Sequence, residues 1–496
     1  MSLVLQPPAL KKLRLVTYSL VFILGVALLL QTFRMIDLCP SQINGQPDLL
    51  MFRKTEETFN QLLRSDRMLP LQVLKYTLQP SVGSAAVQNQ TAGTTVLKGQ
   101  SAHLIGVGGS KALLVSAFLE HRTKPKKVLV VAIMFRQEKV SLQCRLLCSE
   151  RRHVSRASVD IHWDHFGFPY GTADVSCPLP PACQAPSHVA VTSAAARNRD
   201  KADLEFLEVQ NQKELNVFPY NFTSCFSTMY NYTNILQLVQ TVEMLQLLGV
   251  NRIVIYKTNC SVETQRVLDY YTDKGLVEVV PWSLSEYLKV SRRAKPDQDP
   301  GDIHYYGQIP ALNDCLYRSM YRSKYVALHD PDELILPQTV DSWSELLPLL
   351  EKRHGADRCF YFENNWFPTE FTLPPPPPNV LPARGLWRNV SGANVLTHLY
   401  SEPVKPKPAF NNFKTITNPR SVFVVTVHGV LRSQKSCAWV DRTVARMYHT
   451  KVRGQTGRKA QQLIYDGRLL SYSGRLTSAV SAVLRETRLL PDGARR

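Results

Sequence analysis

The most regular pattern of apolar positions lies in the middle of the chain. Ile235, Val239, Val242, Leu245 and Leu248 recur at three- and four-residue intervals, the spacing of one helix face, and Gly249 follows as a left-handed stop. Asn251 to Lys257 (NRIVIYK) is a short apolar run of the buried-strand type. A second helix, capped by Ser261, is predicted through Asp273 and closed by Gly275, with a strand over Leu276 to Trp282 after it. A third helix over about Ile309 to Arg322 leads into Lys324 to His329 (KYVALH), again a buried strand. The segment that opens at Phe218 is expected to turn helical soon afterwards, and Ser421 to His428 is a late strand. Alternation of this kind predicts an α/β fold, a parallel sheet covered by helices. Such sheets bind ligands beyond the carboxyl ends of their strands.

The pattern changes towards both ends. Lys127 to Arg136 and Val140 to Leu147 are strand candidates, which predicts a β-rich accessory region over 111–205 ahead of the α/β domain at 206–450. Ser81 to Gly109 is rich in small residues, and 34–110 is expected to be a stem. The prolines from Pro374 to Pro378 fit neither helix nor central strand and mark a stiff loop. The basic segment 451–496 is expected to hold a docked helix and a loose tail.

Near the start, Leu15 to Phe33 is almost continuously apolar, and roughly 19 helical residues cross a ~30 Å hydrocarbon layer. Lys11, Lys12 and Arg14 precede it without an acid, which keeps residues 1–14 in the cytosol and sends the rest into the lumen. Residues 15–33 are therefore expected to be a single transmembrane helix; a cleaved signal peptide is the alternative. All ten cysteines follow that run, as do five N-x-S/T sequons at Asn89, Asn221, Asn231, Asn259 and Asn389. In an oxidising lumen most of the cysteines should pair. Cys144 and Cys148, with His153, His162 and His165 downstream, match no standard zinc spacing. The net charge of +19 is scattered and accompanied by no nucleic-acid module. It suits anionic substrates, acidic glycans or membrane surfaces instead.

His329-Asp330-Pro331-Asp332-Glu333 stands where the apolar strand ends. A buried strand that runs into three acids is costly unless cations or donors compensate. Asp330 and Asp332, with one residue between them, can approach a single Mn²⁺ or Mg²⁺ from a tight turn stiffened by Pro331. Ions of that kind are usually shared with substrate phosphates.

From about residue 217 to 450 the chain resembles glycosyltransferase family 92. The resemblance is carried by TVEMLQLLGVNRIVIYK, by Gln308 with ALNDCLYR, by KYVALHDPDELILP, by Phe413-Lys414 with Pro419 and the strand ending at His428, and by Ala445 to His449 (ARMYH). It implies a GT-A-type, Rossmann-like domain and an inverting transfer from UDP-galactose with Mn²⁺, in β1,4 linkage onto galactose or fucose of glycans. It also implies metal ligation by Asp330 and Asp332, with His428 completing the shell. A Golgi membrane protein of single-pass type II topology is the expected setting.

An inverting transfer needs a base facing the sugar from the side opposite the diphosphate. Glu363, after an aromatic strand-like run and close to Trp366, is the first candidate, and Asp441 the second. The face of Trp366 suits the C–H surface of an acceptor sugar. Gln308, Asn313 and Asp314 are candidate donor contacts or helix caps, and Glu333 contacts the donor or orients the motif. His304-Tyr305-Tyr306 is a candidate loop over the donor. The competing classes are a lumenal glycan-binding protein without turnover and a transferase for another nucleotide sugar.

Overall fold

The computed structural model describes residues 104–149, 151–196, 204–379, 385–404, 412–451 and 456–490. The apolar run 15–33, Cys39 and Asn89 lie outside the described residues. Among the described residues no helix is long and apolar enough to cross a membrane.

The first part of the chain forms one sheet. Its strands are β1 (Ile105–Gly106), β2 (Leu113–Glu120), β3 (Lys127–Phe135), β4 (Leu142–Cys148), β5 (Arg151–Arg156), β6 (Ser158–Ile161), β7 (Tyr170–Pro178), β8 (His188–Ser193) and β9 (Leu207–Gln210). The order is β5-β4-β8-β9-β2-β3-β7-β6, with β1 beside β2. The predicted strands at 127–136 and 140–147 are β3 and β4. The ninth strand comes from beyond residue 205, where the accessory region was expected to stop. Cys144–Cys177 and Cys148–Cys183 are disulfides, so these sulfurs staple the sheet and hold no zinc.

The rest of the chain builds a second sheet with its helices: β10 (Tyr220–Met229), α1 (Ile235–Leu247), β11 (Arg252–Lys257), α2 (Val262–Asp273), β12 (Val277–Pro281), α3 (Gln308–Arg318), β13 (Ser323–His329), β14 (Glu333–Pro337), α4 (Trp343–His354) and β15 (Cys359–Trp366). The chain continues through β16 (Tyr400–Ser401), β17 (Phe413–Thr417), β18 (Val422–Thr426), β19 (Gly429–Ser433), β20 (Ala438–Trp439), β21 (Ala445–His449), β22 (Ile464–Tyr465) and α5 (Ser473–Glu486), with β16 and β22, and β18 and β19, as separate two-stranded pairs. The order is β12-β11-β10-β13-β17-β15-β21-β14, with β20 beside β15. The first four strands are parallel and share one carboxyl edge. β17 then joins β13 antiparallel, which makes the sheet mixed and the fold α/β.

The central strand of the parallel half is β10, which fills the stretch between Phe218 and the expected helix. Its sequence, YNFTSCFSTM, is too polar to announce a buried strand. The polar side chains find partners instead: Thr223 bonds Ser323 and Ser224 bonds His329. The helical pattern of Ile235 to Leu248 is α1, and Ser261 caps α2 by accepting from the Thr264 amide at 3.1 Å. The third helix ends at Arg318, one turn before the expected Arg322.

Helices α1, α2, α4 and α5 cover one face of this sheet, where Phe222, Phe226, Ile253 and Ile255 meet Leu238, Val242, Leu347, Leu476 and Val480. The docked helix expected after residue 450 is α5. On the other face α3 lies between the two sheets, its Leu312 and Leu316 in one core with Cys225, Val254, Phe118 and Leu129. Every residue of α3 is buried, so the polar ones must be paired inside the fold. Disulfides Cys225–Cys315 and Cys359–Cys437 tie β10 to α3 and β15 to the segment before β20.

Candidate functional site

The acidic turn leaves the carboxyl end of β13 and enters β14, and its backbone is held from three directions. Thr241 of α1 donates to the Pro331 carbonyl at 2.7 Å, and the Thr450 amide donates to the Asp332 carbonyl at 3.0 Å. Within the turn, the Asp330 amide donates to Glu333 Oε2 at 2.7 Å. A second buried polar residue of α1 supports the turn indirectly, for Gln237 donates to the Thr450 carbonyl.

Side chains from four further elements converge on the acids. Gln308, the first residue of α3, donates to Asp330 Oδ1 at 2.9 Å and to Ser227 Oγ of β10, which itself donates to Asp330. Lys414 of β17 is buried, with its ammonium 3.0 Å from Asp330 Oδ2 and 3.3 Å from Glu333 Oε2. His449 of β21 sits opposite Glu333 in the strand register, with Nε2 3.3 Å from Asp332 Oδ2. Burial alone would raise the Asp330 carboxyl, but Lys414 and the Ser227 hydroxyl hold it well below the usual carboxylate range. Burial pushes Glu333 up to about 7 against the pull of Lys414. It would lower His449 as well, yet Asp332 and then Glu333 raise that imidazole above its ordinary value. Both Asp330 oxygens are therefore engaged by donors of the chain. Asp332 is 27% exposed, and among the described residues only His449 pairs with it, through one oxygen.

Of the residues singled out in the sequence, the fold gathers Asp330, Asp332, Glu333 and Gln308. Trp366 is aligned with His449 in the register, beside this group, and its buried indole nitrogen has no hydrogen-bond partner. His428 forms no ion pair with either aspartate; its Nδ1 is buried and unpartnered, and burial lowers it to about 3. Asn313 and Asp314 require correction as donor contacts. Asn313 ties α3 to Val425 through both its amide oxygen and its nitrogen, and Asp314 is buried with Arg318 and Tyr256. Glu363 pairs in register with Phe413, so it lies on the sheet face opposite Lys414, with Arg442 Nε 3.9 Å away. Asp441 accepts from the amide and hydroxyl of Thr443 in a turn.

Sequence reasoning assigned no role to Lys414, His449 or Ser227. Lys414 and His449 stand in the stretches that carry the family resemblance, and this was the available signal. Ser227 gave none, because a serine in a polar strand looks like any other.

Three comparisons bear on this geometry. Beta-1,4-galactosyltransferase galt-1 of Caenorhabditis elegans is 24% identical over 123 residues, 24% of this chain and 26% of its own length. A glycosyltransferase family 92 protein of the same organism is 24% identical over 145 residues, 29% of this chain and 28% of its own length. The matches thus span about a quarter of each relative. A solved glucosyl-3-phosphoglycerate synthase from Mycobacterium tuberculosis, in complex with Mn²⁺, UDP and glucosyl-3-phosphoglycerate, covers 55% of this chain and 82% of its own at 12% identity. Its TM-score of 0.22 is too low to relate the two folds. The model of glycosyltransferase family 92 matches residues 220–466, from the central strand β10 to the residue after β22, and through that domain the chain belongs to the family.

Proposed function

We propose that this protein is a glycosyltransferase of GT-A type that binds a nucleotide-sugar diphosphate at the carboxyl edge of β10, β11 and β13. The reading rests on one observation above all: an acidic turn at that edge whose Asp332 keeps a carboxylate oxygen without a partner among the described residues. The residue types suit a divalent cation, since carboxylates and an imidazole are ligands that Mn²⁺ accepts, but among the described residues no three such side chains stand close enough together to hold one without moving. Asp332 and His449 would hold the ion with Asp330 alongside, and His428 is the alternative nitrogen. Bound there, the cation would neutralise the charge that develops on the departing diphosphate.

The side chains divide the remaining work. Lys414, Ser227 and Gln308 keep Asp330 ionised and fixed in direction. Trp366 offers its ring to the acceptor sugar. Glu363, the candidate base, has its proton affinity raised by burial against Arg442 and Arg446, yet it lies on the sheet face away from Lys414 and is not assigned that role. Asp441 suits that role less. Burial raises it, but the Thr443 hydrogen bonds overcome this and hold its carboxyl low.

By family kinship the donor is UDP-galactose, and the reaction an inverting β1,4 transfer onto galactose or fucose of glycoprotein glycans. The setting is the Golgi lumen, with residues 15–33 as a type II anchor. The purified full-length chain should be incubated with Mn²⁺, a panel of UDP-sugars, and galactose- and fucose-terminated glycans. Chelator-sensitive transfer of galactose is the expected result, abolished by Asp332→Asn with the melting temperature held. Glycan binding without transfer from any donor would overturn the proposal in favour of a non-catalytic lumenal lectin.

A further inference from the structure

The residues in front of α3 adopt an uncommon backbone. Tyr305, Tyr306 and Gly307 are all left-handed, with φ of 28°, 55° and 71°. Bulky side chains avoid this region, and it persists only where the surroundings over-determine it. Several constraints are plain. The Tyr306 carbonyl accepts from the Trp282 indole at 3.0 Å, and its amide donates to the Ser291 carbonyl at 2.8 Å. The Tyr306 ring stacks on Tyr230 with centroids 4.6 Å apart. At Gly307 a Cβ would run into the Leu284 side chain.

A further constraint comes from the accessory sheet. Its β6–β7 loop turns through Phe166 and Gly167, both left-handed at φ 52° and 85°. That turn lays the Phe166 ring flat on His304, with centroids 4.1 Å apart and planes at 21°. Phe168 meets the same imidazole edge-on at 5.9 Å. The loop is anchored where Arg136 donates to the Phe168 carbonyl at 2.7 Å and the Tyr170 amide donates to the Asp302 carbonyl at 2.9 Å. His304 is thus clamped by two rings from the other sheet, and Tyr305 is the next residue.

Tyr305 is left in a position to act. It is 37% exposed, and its hydroxyl has no hydrogen-bond partner among the described residues. Tyr305 stands three residues before Gln308, whose side chain donates to Asp330 Oδ1 at 2.9 Å, so the segment runs directly into the acidic turn. Burial of the Tyr305 phenol group, then the charges of Asp330 and Asp332, push its pKa up to about 12. We propose that Phe166 is a positioning residue for the donor: through His304 it holds the Tyr305 hydroxyl beside the Asp330–Asp332 turn, where that hydroxyl donates to an oxygen of the nucleoside diphosphate. This inference rests on the donor site proposed above. It makes the accessory sheet a working part of that site.

The test is UDP binding to the full-length chain with Mn²⁺ present, measured by titration calorimetry beside a thermal melt. Phe166→Ala and Tyr305→Phe should each weaken UDP about tenfold, the effect of one lost hydrogen bond to a charged group. The double variant should lose little more than either single one, because both changes remove the same contact. Phe166→Tyr, which keeps the stacked ring, should bind like the wild type. So should Trp163→Ala, which alters an exposed side chain of the same loop. If Phe166→Ala melts early, Phe166→Leu replaces it, keeping the bulk without the ring. Wild-type affinity in the ring-less variant, or a double variant that loses the product of the single losses, overturns the inference alone. A wild-type chain that binds no nucleoside diphosphate overturns it together with the donor site.

Discussion

Lys414→Met removes one charge from the centre of the site and keeps most of the side-chain volume. The ammonium is 2% exposed and lies between Asp330 and Glu333, the latter equally buried. Taking one partner from a buried ion pair costs about 3–5 kcal/mol. The lower end applies, because Asp330 keeps its bonds from Ser227 and Gln308 and is 26% exposed. With an unfolding entropy of about 2.1 cal/mol/K per residue over a unit of roughly 400 residues, ~3 kcal/mol lowers the melting temperature by about 4 °C. The loss should depend on pH. Glu333 is already raised by burial, and without the ammonium it rises further. A carboxyl raised in the folded state contributes most below its unfolded pKa and loses that contribution as pH rises through the folded value. The deficit is therefore smaller at pH 5, where only the pair with Asp330 is lost, and full at pH 8, where Glu333 is ionised as well. Scanning calorimetry of both proteins in chelator, at the two pH values, measures it, and added Mn²⁺ should recover part of the loss at pH 8. An equal deficit at both pH values, or none at pH 8, would refute the assignment of Lys414 as the cation that balances these acids.

The two histidines separate by metal affinity: His449→Ala should raise the Mn²⁺ dissociation constant at least about tenfold, while His428→Ala leaves it near the wild-type value, as read by paramagnetic resonance. Asp164 accepts from Thr426, and burial raises its carboxyl to about 6 despite His162, so its ionisation costs stability as pH rises from its unfolded value through 6. Asp164→Asn should raise the melting temperature at pH 7.5 and leave it unchanged near pH 4; the reverse order would sink the reasoning. Replacing Cys225 and Cys315 together by alanine opens a loop with a sequence separation of 90 residues, a loss of about 4–5 kcal/mol by chain entropy, seen as a lower denaturant midpoint.

Much of the α/β domain was legible in the sequence because its signals are local. The apolar spacing of α1, the Ser261 cap of α2 and the β-branched runs of β11 and β13 are each written within a dozen residues, and each formed as expected. The acidic turn was legible for the same reason, since three acids after a buried strand violate the local pattern. What the tertiary structure decided is non-local. β10 reads as too polar for a central strand, and it is one only because His329, Ser323 and Asp330 lie beside it to satisfy its hydroxyl groups. Asn313 and Asp314, read as donor contacts or helix caps, are instead held inside the fold by Val425 and by Tyr256 with Arg318. Lys414 and His449 reach the turn from strands 84 and 117 residues away in the chain. Periodicity reports which face of an element is apolar; it carries no record of which distant strand supplies the charge opposite a carboxylate, because that depends on strand order and register, which only the packed sheet sets.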